Sequence, residues 1–585
     1  MKGTNDLSQS TWKRPLQGGR RLAAWALLIV GLSAITWIVL GLTNNEFENA
    51  VSVQRGVLSI GVALAVALAI VVLVRCLSSW RNLKRLLLGI ACLGGLIALF
   101  YGEEYVRGRF AWDQFKSHWE AKGEKFNFTA FIPAPVPDDQ NFAMAPVVAT
   151  TYNRILDRDG HRKSPPNTNV VVLLQMPLEV DNGGPANASG NWQKAISSNL
   201  EPWQRYYRKL ALTTNVFPVS AQPQSPAADV LLALSKYDST IEALRQAAAL
   251  PASRFPLNYD SETPFGILLP HLAPLKGCAV VLRLRALAEM EAGKSEAALA
   301  DVRLALQLTD KIRSEPFLIS HLVRIAMFHI TTQAIWEGLD KRCWTDAQLS
   351  QLDRQLSTLD FVADYEAAMR GENACQVATF DFLRNRPSAL ASIGDSMEGG
   401  SARHGDLGGC VFPSGWFYQN QFRSSKFIIE HFMPIADVNK HTFSPVLLNQ
   451  ATQSLNAMRS TPYTVICRML LPGLTRSAHR FAFAQATLDL ARCACALERY
   501  RLAKAQFPAT LDALAPQFTE KAPCDPIGGQ PLHYQTIPDG AFILYSVGWN
   551  ETDDDADVRL GKSGSVDLDN GDWVWRYPET GLPKL

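Results

Sequence analysis

The sequence predicts a mostly α-helical protein with three N-terminal transmembrane helices, a helical periplasmic body and a small C-terminal α+β domain. In that last domain a long helix lies on a short antiparallel sheet. Three observations predict this. Three uncharged apolar runs occupy the first hundred residues, residues 193–475 follow a helical pattern, and the last hundred residues carry an ordered set of motifs, set out below, whose resemblance implies the small C-terminal domain. The implied parts are a membrane anchor (1–102), a juxtamembrane helix with an extended linker (103–192), a helical body (193–475) and a head (476–585). A chain of 585 residues accommodates roughly three or four domains of about 150 residues each.

Residues 22–45, 56–74 and 86–102 contain no charge. Each run is close to the roughly 20 residues that cross a hydrocarbon core as helix, and Trp80 and Tyr101 flank the third as interfacial aromatics. No small-residue cleavage site follows the first run, so a signal peptide is not expected. Lys2, Lys13, Arg14, Arg20 and Arg21 precede the first run, and Arg75, Arg81, Lys84 and Arg85 fill the loop before the third. The intervening loop has only Arg55. Basic residues collect on the cytoplasmic side, so the N-terminus is expected in the cytoplasm of an inner membrane and residues 103–585 in the periplasm.

The formal net charge is +2, and no basic stripe follows the first hundred residues. Nucleic acid is therefore not an expected partner; the lipid bilayer and an envelope protein are. Cys278, Cys343, Cys375, Cys410, Cys467, Cys493, Cys495 and Cys524 would lie in the oxidising compartment. Their spacing specifies no pairing, and both buried thiols and one or two bridges accommodate it.

The segment GEEYVRGRFAWDQFKSHWEAKGEKFNF reads as an amphipathic helix with Phe110, Phe115 and Trp119 on its apolar face and Trp112 beside them. The prolines of PAPVPDDQNFAMAPVV impose an extended segment, and Val170–Leu174 reads as one short strand in a long loop. Cys278–Ala292 and Ser295–Leu308, joined by Gly293-Lys294, read as a helical hairpin similar to one tetratricopeptide unit. No further unit recurs at that period, so an irregular helical body is expected rather than a solenoid. Thr345 and Gln348 have the spacing of a capping box. Ile393–Trp416 contains seven glycines and reads as a loop. The helix RSAHRFAFAQATLDLARCACALERYRLAK reads as amphipathic. A fragment covering roughly 474–585 is expected to fold alone.

The order LERYRLAKAQFPATLDAL, CDPIGGQPLHY, GAFILYSVGWNETDDDADV and GDWVWRYP resembles the globular head of type II secretion major pseudopilins. That resemblance implies a helix packed on a small antiparallel sheet, with strands at Pro531–Gln535, Ala541–Val547 and Trp573–Tyr577, and a calcium ion held by the loop after the Tyr-Ser-x-Gly strand end. The matching positions here are Ser546, Val547, Asn550, Asp553 and Asp554. Asn550 stands where pseudopilins usually have aspartate, which removes one charge. The helix before the head follows 475 other residues and is not a membrane-extracted pilus core. Residues 103–585 also resemble a group of uncharacterised membrane-anchored proteins of planctomycetes and verrucomicrobia, through EEYVRGRFAWDQF, PVPDDQNFA, IWEGLDKRCWTDAQL and the tail. That second resemblance implies no activity.

Residues 550–572 hold eight acidic side chains against Arg559 and Lys562. Crowded carboxylates repel unless solvated or bridged, and calcium accepts six to eight oxygens in flexible geometry. A solvated acidic turn and a calcium site both accommodate this composition. His321 and His329 lie eight apart on one helix, wider than the spacing of three or four that metal pairs favour, and core or surface roles suit them. His431, Asp437 and His441 surround a proline without a fixed geometry. Trp549, Trp573 and Trp575 suit either an exposed aromatic patch or packing against the long helix. No nucleophile-elbow, phosphate-loop or dinucleotide motif occurs in a strand–helix context. A structural or interaction role, linked to a secretion- or pilus-like envelope assembly, is expected without enzyme activity. The competing class is an envelope hydrolase with its site in the helical body, which a pocket with converging polar groups and perturbed carboxylates would favour.

Overall fold

The computed structural model describes residues 80–153, 174–178, 185, 188–390, 412–537, 541–561 and 565–576. The runs 22–45 and 56–74 lie outside the described residues, as do 170–173 and most of the glycine-rich stretch. Among the described residues, one helix is long and apolar enough to cross a membrane. Contacts divide the chain into Met1–Glu103 and Glu104–Leu585. The sequence boundaries at 192/193 and 475/476 fall inside the second unit.

Helix α1, Trp80–Glu120, merges the third apolar run and the juxtamembrane helix into one element. In its first half Leu87, Leu88, Ile90, Leu93, Leu96, Ile97, Leu99 and Phe100 are all exposed. At 100° per residue these positions surround the whole circumference of the helix. In its second half Tyr105, Gly108, Trp112, Phe115 and Trp119 recur every three or four residues and form one stripe. Trp112 and Phe115 pack against Phe126, Val377, Tyr418 and Ile429. Phe110, which the sequence placed on this face, is 68% exposed. It stands two residues before Trp112 and five before Phe115, which turns it to the far side. A side chain on Gly415 would overlap the Glu104 carbonyl, so the helix Ser414–Phe427 can cross α1 this closely only with glycine there.

The helical body continues with α2 (Pro146–Asn153), α3 (Glu201–Ala211), α4 (Pro226–Leu234) and α5 (Asp238–Ala248). Helices α6 (Leu272–Glu291) and α7 (Ser295–Asp310) form the predicted hairpin, turning at Gly293 with φ +72°. Then come α8 (Leu318–Asp340), α9 (Asp346–Leu356) and α10 (Phe361–Asn385). The capping box of α9 is present: the Gln348 amide donates to the Thr345 hydroxyl (3.3 Å), and the Thr345 amide to the Gln348 side chain (2.8 Å). Helices α6 to α10 have 20, 16, 23, 11 and 25 residues. Such unequal lengths make an irregular body, as the sequence predicts.

Helix α11 (Ser414–Phe427) precedes a small hairpin of β1 (Ala436–Asp437) and β2 (Thr442–Phe443), then α12 (Pro445–Ala457) and α13 (Val465–Leu470). Helix α14, Pro472–Lys504, is the centre of the unit and packs against α8, α9 and α10. It is not amphipathic. Residues 481–491 and 493–498 are buried without interruption, because neighbours cover it on all sides. Ala478, Ala482, Ala484, Ala486, Ala491, Ala494 and Ala496 keep it thin enough for that approach.

The last face of α14 meets a three-stranded antiparallel sheet, β3 (His533–Ile537), β4 (Ala541–Ser546) and β5 (Trp573–Arg576), in that spatial order. Leu544 stands opposite Trp575, and Tyr545 opposite Val574. Alternation sends Phe542, Leu544, Trp573 and Trp575 into the main core. The Phe483 and Trp573 rings meet edge-on at 5.3 Å, so the tryptophans pack against the long helix. Tyr545 and Val574 face outward under Ala556 and Val558. Strand β3 starts two residues later than predicted, because Gly528 and Gly529, both at φ +74°, turn the chain between Cys524 and Pro531.

This packing reverses the expectation for the 474–585 fragment, which would expose the surface that α8, α9 and α10 cover. The fragment should show no cooperative thermal transition by circular dichroism, and a sharp one would contradict the burial of α14. In the full chain Phe481→Ala removes a fully buried ring lying 5.4 Å from that of Tyr365. It should cost about 3–5 kcal/mol in denaturant unfolding.

Candidate functional site: the acidic loop

The loop between β4 and β5 is folded by its own carboxylates. Asp525, on the turn before β3, accepts hydrogen bonds from the Ile527 amide (2.8 Å), the Ser546 hydroxyl (2.8 Å) and the Val547 amide (3.0 Å). Two of the predicted calcium-site residues, Ser546 and Val547, are therefore tied to Asp525. Gly548 then turns the chain at φ +69°. The Asn550 amide donates to Asp554 (2.7 Å), and its oxygen accepts from the Thr552 amide (3.3 Å). Asp553 accepts from the Tyr545 hydroxyl (3.0 Å) and lies 3.3 Å from Nδ1 of His533.

Asp572 closes the loop. Its buried carboxylate accepts from the amides of Asp554 (3.1 Å) and Ala556 (2.7 Å). Burial pushes Asp572 up to about 6, and the nearby charges of Asp553 and Asp554 add to the shift. Burial likewise pushes Asp525 up to about 6, against the three donors that favour its ionised form. The five sequence-derived residues thus fall into two groups, Ser546 and Val547 on Asp525, and Asn550, Asp553 and Asp554 in the loop. Among the described residues, no three His, Cys, Asp or Glu side chains are gathered to hold a metal ion. Sequence reasoning did not select Asp525, Tyr545 or His533, and it counted Asp572 only as one of the eight acidic side chains of 550–572. The Asp-Pro turn was visible as part of a motif, but nothing in it revealed that Asp525 would reach the end of β4.

Other clusters are structural in their geometry. Glu315 bridges Ser320 and His271 (2.6 Å), and all three are buried. A carboxylate between serine and histidine reverses the order in which a base activates a nucleophile. Burial pulls His321 down to about 3 and His329 to about 4, so both are neutral at pH 7. His441 lies 3.8 Å from Asp360, His431 rests on Phe427, and Asp437 pairs with Lys440, so the residues around Pro434 do not converge. The described cysteines are free thiols. An apolar cavity of about 620 Å³ is lined in part by Phe380, Leu383, Ile466 and Glu372. Burial pushes the Glu372 carboxyl up to about 7. No family model matches the chain, and neither does a curated protein or a solved structure.

The acidic character extends behind the sheet to Asp489 on α14, which accepts from the Gln485 amide (3.0 Å). Burial pushes Asp489 up to about 7, with Asp525 and Asp360 adding to the effect. A carboxyl whose folded value exceeds its unfolded value of about 4 favours folding at low pH. That advantage is lost as pH rises through about 7. Asp489→Asn should therefore stabilise the protein at pH 8 by about 2 kcal/mol, with the gain vanishing near pH 4. Thermal unfolding of both proteins across that range measures the difference.

Proposed function

We propose that this chain is an inner-membrane-anchored protein of the cell envelope with a structural or interaction role. In this reading three spans hold it, its N-terminus is cytoplasmic, and residues 103–585 work in the periplasm. The observation that carries it is the first half of α1, whose apolar side chains are exposed all round the helix. A helix apolar on every side requires either a protein core or lipid, and the most apolar stretch of α1 is not buried within the chain at all. The basic residues around the first and second runs supply the orientation. The head's likeness to pseudopilins supports a place in a secretion- or pilus-like assembly, with an envelope protein as partner. A reporter enzyme that works only outside the cytoplasm, fused after residue 110, should be active. Activity of a cytoplasm-only reporter at that site would overturn the topology.

Calcium belongs to this reading as a ligand of the acidic loop. Its support is the mutual repulsion of Asp553, Asp554 and Asp572, which a divalent cation would relieve. Binding would require Asp553 and Asp554 to turn from Tyr545, His533 and Asn550. A ligand of the folded state raises stability by about 2.7 kcal/mol at a hundredfold excess over Kd. Calcium should then raise the melting temperature of the full chain well beyond magnesium, and joint conversion of Asp553 and Asp554 to asparagine should remove the difference. Equal shifts from the two ions would identify a solvated turn.

The hydrolase reading has one supporting observation, the Glu372 carboxyl in its apolar cavity. Such a group can exchange protons near neutral pH. Loss of an envelope hydrolytic activity in Glu372→Gln, without loss of fold, would favour it.

A further inference from the structure

A separate cavity of about 540 Å³ lies among α6, α8, α14 and the segments 190–193 and 565–568. Its volume is in the range of small-molecule sites. Leu322, Ile325, Ile330 and Phe483 give it an apolar wall, and Arg283 and Arg480 bring two guanidinium groups to the same space.

Arg283 is largely buried, and its Nε has no hydrogen-bond partner. It forms no ion pair among the described residues. Glu337 is the acidic group whose field reaches it; one of its oxygens is engaged, and the other is buried without a hydrogen-bond partner. Glu337 accepts from the Ser198 amide (2.9 Å) and the Gln333 side chain (2.9 Å), and Lys341 lies 3.5 Å from its other oxygen. Arg480 is exposed and also forms no ion pair among the described residues. His329 stacks on Phe483 with centroids 4.9 Å apart and, being neutral at pH 7, adds no charge.

A guanidinium with a buried nitrogen that lacks a hydrogen-bonded partner gains from pairing with an anion. Its planar fork matches the oxygens of a carboxylate or a phosphate. We propose that this cavity binds a small organic anion, a carboxylate or phosphate group on an apolar body. Arg283 and Arg480 hold the oxygens, and the wall of Leu322, Ile325, Ile330 and Phe483 takes the body.

The test uses the full-length protein in non-ionic detergent micelles, with hexanoate, hexyl phosphate and neutral hexanamide as probes. At least one of the two anions should bind by calorimetry and raise the melting temperature, and hexanamide should do neither. Which anion binds more tightly distinguishes a carboxylate from a phosphate ligand. Arg283→Met should weaken binding at least tenfold while leaving the ligand-free melting temperature unchanged or higher. Should that variant not fold, Arg480→Met, at an exposed position, should weaken binding threefold or more. The proposal is overturned if neither anion binds, if hexanamide binds equally well, or if binding is unchanged in the variants. A stability loss in Arg283→Met with binding intact would assign Arg283 to balancing Glu337 instead, and would equally overturn it.

Discussion

The burial of α14 on every side is the constraint on which the unit Glu104–Leu585 depends. A helix with one apolar stripe needs one neighbour, whereas α14 needs covering all round. Three helices of unequal length, α8, α9 and α10, cover part of it, and the sheet of the head, α12, α13 and β2 cover more. Each fully buried leucine or phenylalanine gains about 1.5–3 kcal/mol over exposure. That gain is available only when the helices and the sheet are both in place. Polar groups on α14 restrict the arrangement further. The Phe361 amide at the start of α10 donates to the Gln485 side chain (2.9 Å). A misplaced α10 would leave the Gln485 oxygen without this donor, at a cost of about 1–3 kcal/mol.

The same core contains buried charge, arranged in sets closed by ion pairs, in which Arg245 Nε and Arg324 Nη2 still have no hydrogen-bond partner. Arg324 is fully buried, pairs with Asp364, and donates to the Thr309 carbonyl (3.0 Å). Asp301 takes Arg245 and Arg285, and Glu315 takes His271 and Ser320. Buried pairs of this kind contribute little net stability, but breaking one costs about 3–5 kcal/mol. They therefore select one packing of the helices over others of similar apolar area. Arg283 differs from them in lining a cavity and forming no ion pair among the described residues.

The acidic loop follows the logic of the closed sets more than that of an open turn. Asp525 and Asp572 accept backbone and side-chain donors from both ends of the β4–β5 connection, and Asp553 reaches the outer face of the sheet through Tyr545. Carboxylates here shape the chain by hydrogen bonding. A cation would have to compete with those donors for the same oxygens.

The sequence by itself determined the features that depend on local pattern. The apolar run 86–102, the α6–α7 hairpin, the capping box at Thr345 and the two strands β4 and β5 were legible because periodicity, turn residues and short-range hydrogen bonds act between neighbours in the chain. The core positions of Trp573 and Trp575 were legible as one of two readings that strand alternation allowed. Only the tertiary structure decided which side of a helix is covered and by what. Phe110 looked equivalent to Phe115 until the stripe that meets Val377 and Ile429 turned it outward. The alanine-rich helix Pro472–Lys504 looked amphipathic because its small residues are neutral in a pattern and become decisive only when neighbours approach from all sides. Asp525 was one aspartate among many until a turn carried it to Ser546 and Val547. Arg283 and Arg480, nearly two hundred positions apart in the chain, share a cavity that no local spacing encodes. Contacts between distant segments depend on how whole elements pack, and that information lies in the fold rather than in any window of sequence.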